Sequence, residues 1–294
     1  MARRSVNDKV IDIIMYFLLA LVFLVVLYPL YFIVIASFSD PLAVVGGNVW
    51  LWPVHATLEP YKMVFRDSDI LVGYKNTLLY TVAGTVVNIV MTVAAAYPLS
   101  KKNLKGKGII MKMMVFTMYF SGGMIPVYLM ISNMGMLDTF LVMIIPNAVS
   151  VSNIVITRTY FQTSIPGEIE ESAYVDGSSH INTLLRIVLP LSKPIIAVMV
   201  LFYSVAHWNS FFNGLIYLTS KSRYPLQLVL RGILIQNQAS EEMMAGIDDT
   251  FSRKLLGETI KYALIVVSSA PVLCLYPFLQ KYFVKGVMIG SIKG

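Results

Sequence analysis

Apolar residues in this chain gather in long blocks bounded by charges. Six runs, roughly 10–37, 72–99, 109–132, 139–159, 188–218 and 259–283, each reach the length of about 20 mostly apolar residues that a helix needs to cross a hydrocarbon core of about 30 Å. The pattern predicts an all-α integral membrane protein with six transmembrane helices. The first run, VIDIIMYFLLALVFLVVLYPLYFIVIAS, has Asp12 at its entrance and Pro29 as an expected kink. Arg3 and Arg4 precede it, but the run is far longer than the apolar region of a signal peptide and no A-x-A site follows, so it reads as an uncleaved anchor.

Polar residues inside the runs carry the next level of information. In the second run Asn76, Thr77, Thr81, Gly84, Thr85 and Asn88 suit a face packed on other helices or lining a pathway, with helix–helix packing the plainer reading for any one of them. In the fifth, His207 stands beside Trp208 and Asn209, and an ionisable residue within a span is a functional hypothesis by default. Aromatic faces and amides are what a sugar requires, because its C–H face stacks while its hydroxyls need hydrogen bonds. Asn76, Asn88, His207, Trp208 and Asn209 are therefore the candidate pathway-lining residues, with interhelical packing as the competing role. Lys112 and Arg158, near the inner ends of their runs, read as snorkelling side chains.

Composition sharpens the class. Of 294 residues 57% are hydrophobic and 13% charged, where a soluble domain carries about a quarter charged, so an ordinary soluble fold is excluded. The single cysteine, Cys274, lies in an apolar run and rules out a disulfide framework or a thiolate metal cluster. With six spans and both termini in the cytoplasm, 14 Lys and Arg fall inside and 9 outside, giving a net +8 on the inner face and −1 on the outer. The basic balance thus reports topology and contact with anionic lipid; no nucleic-acid-binding signature accompanies it. His55, His180 and His207 are far apart, and no H-E-x-x-H or G-x-S-x-G occurs, so no enzyme chemistry, metal or cofactor is expected of the chain itself. Without a G-x-x-x-x-G-K-[ST] it has no cradle for ATP phosphates, and the energy for any pumping must come from another polypeptide.

Between the runs, segment 38–71 contains LEPYKMVF, a candidate short amphipathic helix, and 219–258 reads as an ordered extracytoplasmic loop. The most informative stretch is FQTSIPGEIEESAYVDGSSHINTLLRIVLP, 161–190. Ser164 is placed to cap a short helix, Pro166 suits its first turn, and Glu168, Glu170 and Glu171 sit where a helix N-terminus favours anions. Gly177 after Asp176 is a left-handed stop. A second helix then begins at Ser178 or Ser179, with Ile181, Leu184, Leu185 and Val188 expected on one face, and runs into Pro190. Small residues Ser172, Ala173 and Gly177 permit close approach of another backbone. The residues alone leave two readings open: a knob that passes force between a soluble subunit and the membrane helices, or a connector resting on the headgroups.

At these residues the sequence resembles the permease subunits of binding-protein-dependent ABC importers, in the carbohydrate-uptake branch and closest in kind to the maltose-type permease. The match is the family's EAA loop, here 164–190, standing as Glu171, Ser172, Ala173, Asp176, Gly177, Leu189 and Pro190, with Ser172 in place of the usual alanine. It extends from Tyr74-Lys75-Asn76-Thr77 through HWNSFFNGLIYL (207–218) and RYPLQLVL (223–230) to QKYFVKGVMIGSIKG at the C-terminus.

The resemblance implies a type I importer permease fold in a bacterial plasma membrane. The N-terminal anchor helix and extracytoplasmic loop would be 1–70, the transmembrane core 71–285 and a cytoplasmic tail 286–294. It implies a second homologous permease as heterodimeric partner, two ATPase subunits that bind ATP and Mg, and an extracytoplasmic solute-binding protein. Glu168, Glu171, Ser172, Ala173, Asp176, Gly177, Leu189 and Pro190 would couple to the ATPase, with Lys285, Gly286, Gly290, Lys293 and Gly294 reaching into the ATPase pair. The cargo implied is a carbohydrate, an oligosaccharide for preference. The alternative, an ion-coupled secondary transporter, asks for carboxylates near mid-membrane, and no Asp or Glu lies mid-span here.

Overall fold

The computed structural model describes residues 6–243, 260–275 and 277, and among these all regular secondary structure is helical, with no strand. The described residues form two compact units, Met1–Ser68 with Gly232–Ala270 and Asp69–Arg231 with Pro271–Gly294.

The first unit is built on α1 (Val6–Ser37), which runs through Pro29 as one helix and has none of its apolar stretch buried. Only its end is covered. Ile35 packs with Ala43 of α2 (Pro41–Val45) and with Val49. The expected amphipathic segment is α3 (Glu59–Arg66), with Val64 turned inward and Tyr61 sharing a 2.7 Å hydrogen bond with Ser37.

The second unit is organised around α4 (Ser68–Ser100), 33 residues long. Its buried residues include Gly73, Thr77, Tyr80, Thr81, Gly84, Thr85, Asn88, Thr92 and Ala96. Steps of three and four keep them on one face, so the polar residues that would be costly in lipid face protein instead. Three of the predicted straight spans are bent. α5 (Lys107–Tyr119) and α6 (Met124–Asn133) meet at 110° across a Ser-Gly-Gly segment in which Gly123 has φ 86°. The 3-10 turns over Leu141–Asn147 meet α7 (Val151–Ser164) at 56°. After α8 (Gly167–Val175) and α9 (His180–Thr183), a π turn (Leu184–Val188) and α10 (Leu189–Leu191) lead at 83° into α11 (Lys193–Trp208). Pro190 and Pro194 explain that corner, since neither has an N–H to donate and each ring clashes with the carbonyl four residues back.

Beyond α12 (Phe212–Tyr217) the expected outer loop instead forms α13 (Leu226–Met243) over much of its length. The reason lies on α4. The Leu226 N–H, an orphan at a helix start, donates to Thr77 Oγ1 at 2.7 Å, and Gly73 lets the two backbones approach. A last helix, α14 (Ile260–Leu275), is the described part of the sixth run. By length and composition α1 and α4 can each cross a membrane, and up to five spans result if each bent pair is one. The inner part of the second unit packs Ala96, Tyr97 and Leu99 against Ile154 and Phe161 of α7 and Ile195, Met199 and Tyr203 of α11.

Candidate functional site

The acidic helix and its stop take the form their sequence requires. α8 begins after Pro166 without a side-chain cap, because Ser164 is the last residue of α7 and not the cap expected of it. At its end Gly177 has φ 80°, its N–H donates to the Tyr174 carbonyl at 3.0 Å, and the Ser178 N–H donates to the Ala173 carbonyl at 2.9 Å. These two bonds are the Schellman pair, which satisfies carbonyls left over at the helix end. Ser179 then caps α9, its hydroxyl accepting from the Asn182 N–H at 3.3 Å.

α8 has an anchored face and a free one. Glu170 pairs with Lys101 just past the C-terminal end of α4, and the Lys101 ammonium lies 3.9 Å from the Tyr97 ring centre. Tyr97 and Tyr174 share a 3.4 Å contact between hydroxyls, and Tyr174 in turn meets His180 Nδ1 at 2.9 Å. Ala173 is buried. Glu168, Glu171, Ser172, Val175, Asp176 and Gly177 are all exposed, Val175 at 88%. Ser172 satisfies its own hydroxyl by donating to the Glu168 carbonyl at 2.8 Å, so serine serves where alanine is usual without an unpaired group. Leu189 is half-buried and Pro190 exposed at the corner. The face expected of α9 divides: Val188 is buried, while Ile181 and Leu185 are 72% and 57% exposed. The π turn accounts for this, because an extra residue per turn rotates the side chains out of register.

The five pathway candidates separate into distinct roles. Asn88 and His207 are brought together, Nε2 of the ring 2.7 Å from the amide Oδ1, while the amide N–H donates to the Asn147 carbonyl at 2.5 Å. That carbonyl is available because the span breaks just beyond it. Gly84 makes the arrangement fit: a Cβ there would stand 2.3 Å from His207 Nε2. Trp208 is buried with its ring edge-on to Tyr74 at 5.5 Å. Asn76 donates to the carbonyls of Ser222 and Tyr224 at 2.8 and 3.1 Å, which makes it a fastener for the segment before α13. Asn209 alone of the five is exposed. A groove of 580 Å³ between α4 and the α9–α11 arm is lined almost wholly by apolar side chains, Ile89, Val93, Leu184, Leu185 and Ile196 among them, with Lys193 at its edge as the polar exception, so it offers a sugar few hydrogen bonds.

Sequence reasoning missed Asp138. Its carboxylate accepts from the Ser220 hydroxyl at 2.5 Å, the Ser220 and Thr219 N–H groups at 3.0 and 3.1 Å, and Arg223 Nη1 at 2.9 Å. The Ser220 hydroxyl first, then the backbone N–H groups and Arg223, hold its carboxyl well below the usual range. Its partners stand some 82 residues away, and its φ of 53° is the sole structural oddity that local sequence would have had to foretell. The expected tail contacts at Lys285, Gly286, Gly290, Lys293 and Gly294 lie outside the described residues. Among the described residues no three His, Cys, Asp or Glu side chains come together to hold a metal ion.

The family model for the binding-protein-dependent transport system inner membrane component matches residues 69–289. The chain is 40% identical to the protein LplC of Bacillus subtilis (strain 168), over 92% of this chain and 90% of that one. It is 37% identical to the polygalacturonan/rhamnogalacturonan transport system permease protein YtcP of the same organism, over 98% of this chain and 100% of the relative. A chain in the crystal structure of a bacterial ABC transporter involved in the import of the acidic polysaccharide alginate superposes with a TM-score of 0.86 at 33% identity, covering 96% of this chain and 100% of that chain.

Proposed function

Because this chain belongs to the family of binding-protein-dependent transport system inner membrane components, we propose that it forms half of the translocation pathway of an ATP-driven oligosaccharide importer. It is a multi-pass permease subunit of the bacterial inner membrane, in the sugar branch of the ABC importers. Six spans, both termini in the cytoplasm, a second homologous permease beside it, two ATPase subunits beneath and an extracytoplasmic binding protein above complete the reading. ATP and Mg would be held by the ATPase subunits. The cargo we favour is an acidic oligosaccharide, since the relatives include a polygalacturonan/rhamnogalacturonan permease and a chain of an alginate importer.

The observation that carries the mechanism is the two-faced α8. Its outward face offers Glu168, Glu171 and Asp176 around the small Ser172 and Gly177, which suits insertion into a basic groove. Its inward face is tied to α4 through Glu170–Lys101 and Tyr174–Tyr97. Closure of the ATPase pair on bound ATP would move α8, and with it α4 and the α9–α11 arm, exposing the pathway to the docked binding protein; hydrolysis would reset it. The test is a mild-detergent pull-down of the tagged chain from its native membrane, with mass spectrometry and an ATPase assay on the eluate. Recovery of a second permease and an ATP-binding protein, with activity stimulated by a solute-binding protein, is expected. A lone chain without ATPase activity across several detergents would defeat the reading and favour an ion-coupled transporter.

A further inference from the structure

The helix of the fifth run stops at Trp208 and resumes at Phe212. From the corner at Ser192 the 16 residues of α11 rise about 24 Å, most of the thickness of a core of about 30 Å, so in a span that starts at one face the break would fall towards the other. Irregular backbone at such depth persists where it is buried in protein or lines a water-filled cavity. Here Asn209 and Phe212 are exposed and Ser210 and Phe211 half-buried, which fits the second case. Over this break lies Arg231, on the second turn of α13, its guanidinium 4.9 Å from the Phe211 ring centre. Stacking occupies the flat face of a guanidinium and leaves its fork of N–H donors free in the plane. Arg223, by contrast, has its charge taken up by Asp138 at 2.9 Å; among the described residues no carboxylate pairs with Arg231.

Resting on the reading that the cargo is an acidic oligosaccharide, we propose that Arg231, Phe212 and Asn209 form a subsite that receives a sugar carboxylate at the outer mouth of the pathway. The in-plane N–H donors of Arg231, taken up by no carboxylate among the described residues, match a carboxylate in bidentate geometry. The Phe212 ring, 53% exposed and edge-on to Phe211 at 6.3 Å, supplies a face on which the sugar's C–H surface stacks. Asn209 donates its amide N–H to the Val205 carbonyl at 2.9 Å, which orients the group and leaves Oδ1 to accept from a sugar hydroxyl. Phe211 serves as the shelf that holds the guanidinium in place.

The test uses the complete importer in proteoliposomes, with its own partner subunits and binding protein, and compares uptake of trigalacturonate with that of its neutral methyl ester. Arg231→Gln is expected to raise the half-saturating concentration for trigalacturonate by about tenfold, the loss of one charge-assisted pair. Uptake of the ester should weaken far less than that of trigalacturonate, and Arg231→Lys should fall between. Trigalacturonate uptake unaltered by Arg231→Gln, or both sugars weakened equally, would overturn the subsite while leaving the importer reading intact. Wild-type uptake of the ester alone, or of neither sugar, would instead overturn the acidic-cargo reading and the subsite with it.

Discussion

At Gly84 a single missing Cβ decides whether two helices meet. The imidazole of His207 fills the space that a methyl group would need, and its ring reaches Asn88 only because of that approach. Gly84→Ala forces the helices apart or turns the ring away, and overpacking of this kind costs about 1–3 kcal/mol. A lowered melting temperature in detergent is expected, largely restored when His207→Ala is added; equal melting of Gly84→Ala and wild type would refute the contact. Asp138 carries a pH signature. Its pKa is depressed in the folded protein, so its contribution is complete above the ordinary aspartate range, about pH 4, and fades as pH falls through the lower folded value. The stability difference between wild type and Asp138→Asn should thus be constant at neutral pH and close only under strong acid, as followed by thermal melts across pH. A difference that already closes near pH 6 would contradict the four-bond clasp.

At the scale of elements, α8 stands on its tie to α4. Lys101→Glu sets two carboxylates against each other and should speed deuterium exchange over 167–178. The exchanged pair Lys101→Glu with Glu170→Lys should slow it again, and failure of the swap to protect would show that the ion pair is not the anchor. The helix itself was legible in the sequence because its start and stop are local, in the acidic first turn, the Asp-Gly stop and the serines that follow, whereas its anchor to Lys101 and Tyr97 was not. The membrane class and the long first and second helices were legible for the same reason. The bends were not, since an apolar run of about 20 residues or more reads alike whether straight or broken, and the prolines at 190 and 194 hinted at one of them. Nor was α13, whose first N–H is satisfied by Thr77, 149 residues earlier. The pathway candidates stood out as polar residues within apolar runs; of these Asn76 holds backbone, while Arg231 lies on a segment that reads as a loop.

Across the second unit, these ties form a continuous chain from the exposed acidic face of α8 through Lys101 and α4 to Asn88 and His207. If the exposed face engages a basic ATPase groove, Glu171→Lys should lower co-purification of the ATPase subunit several-fold without altering membrane insertion. Undiminished recovery would remove Glu171 from the contact. The corner at Ser192 gives this chain a mechanical character. If α8 is pushed as proposed, two arms joined at 83° would act as a bell crank, turning a push along one arm into a sideways sweep of the other. With a long arm of about 24 Å, a rotation of about 10° carries its tip some 4 Å, by the rise of α11. The 2.7 Å bond between His207 and Asn88 sits near that tip and cannot stretch so far. In that stroke it would serve as a detent: small thermal rocking would leave it engaged, and only a stroke large enough to release it would let the lever travel.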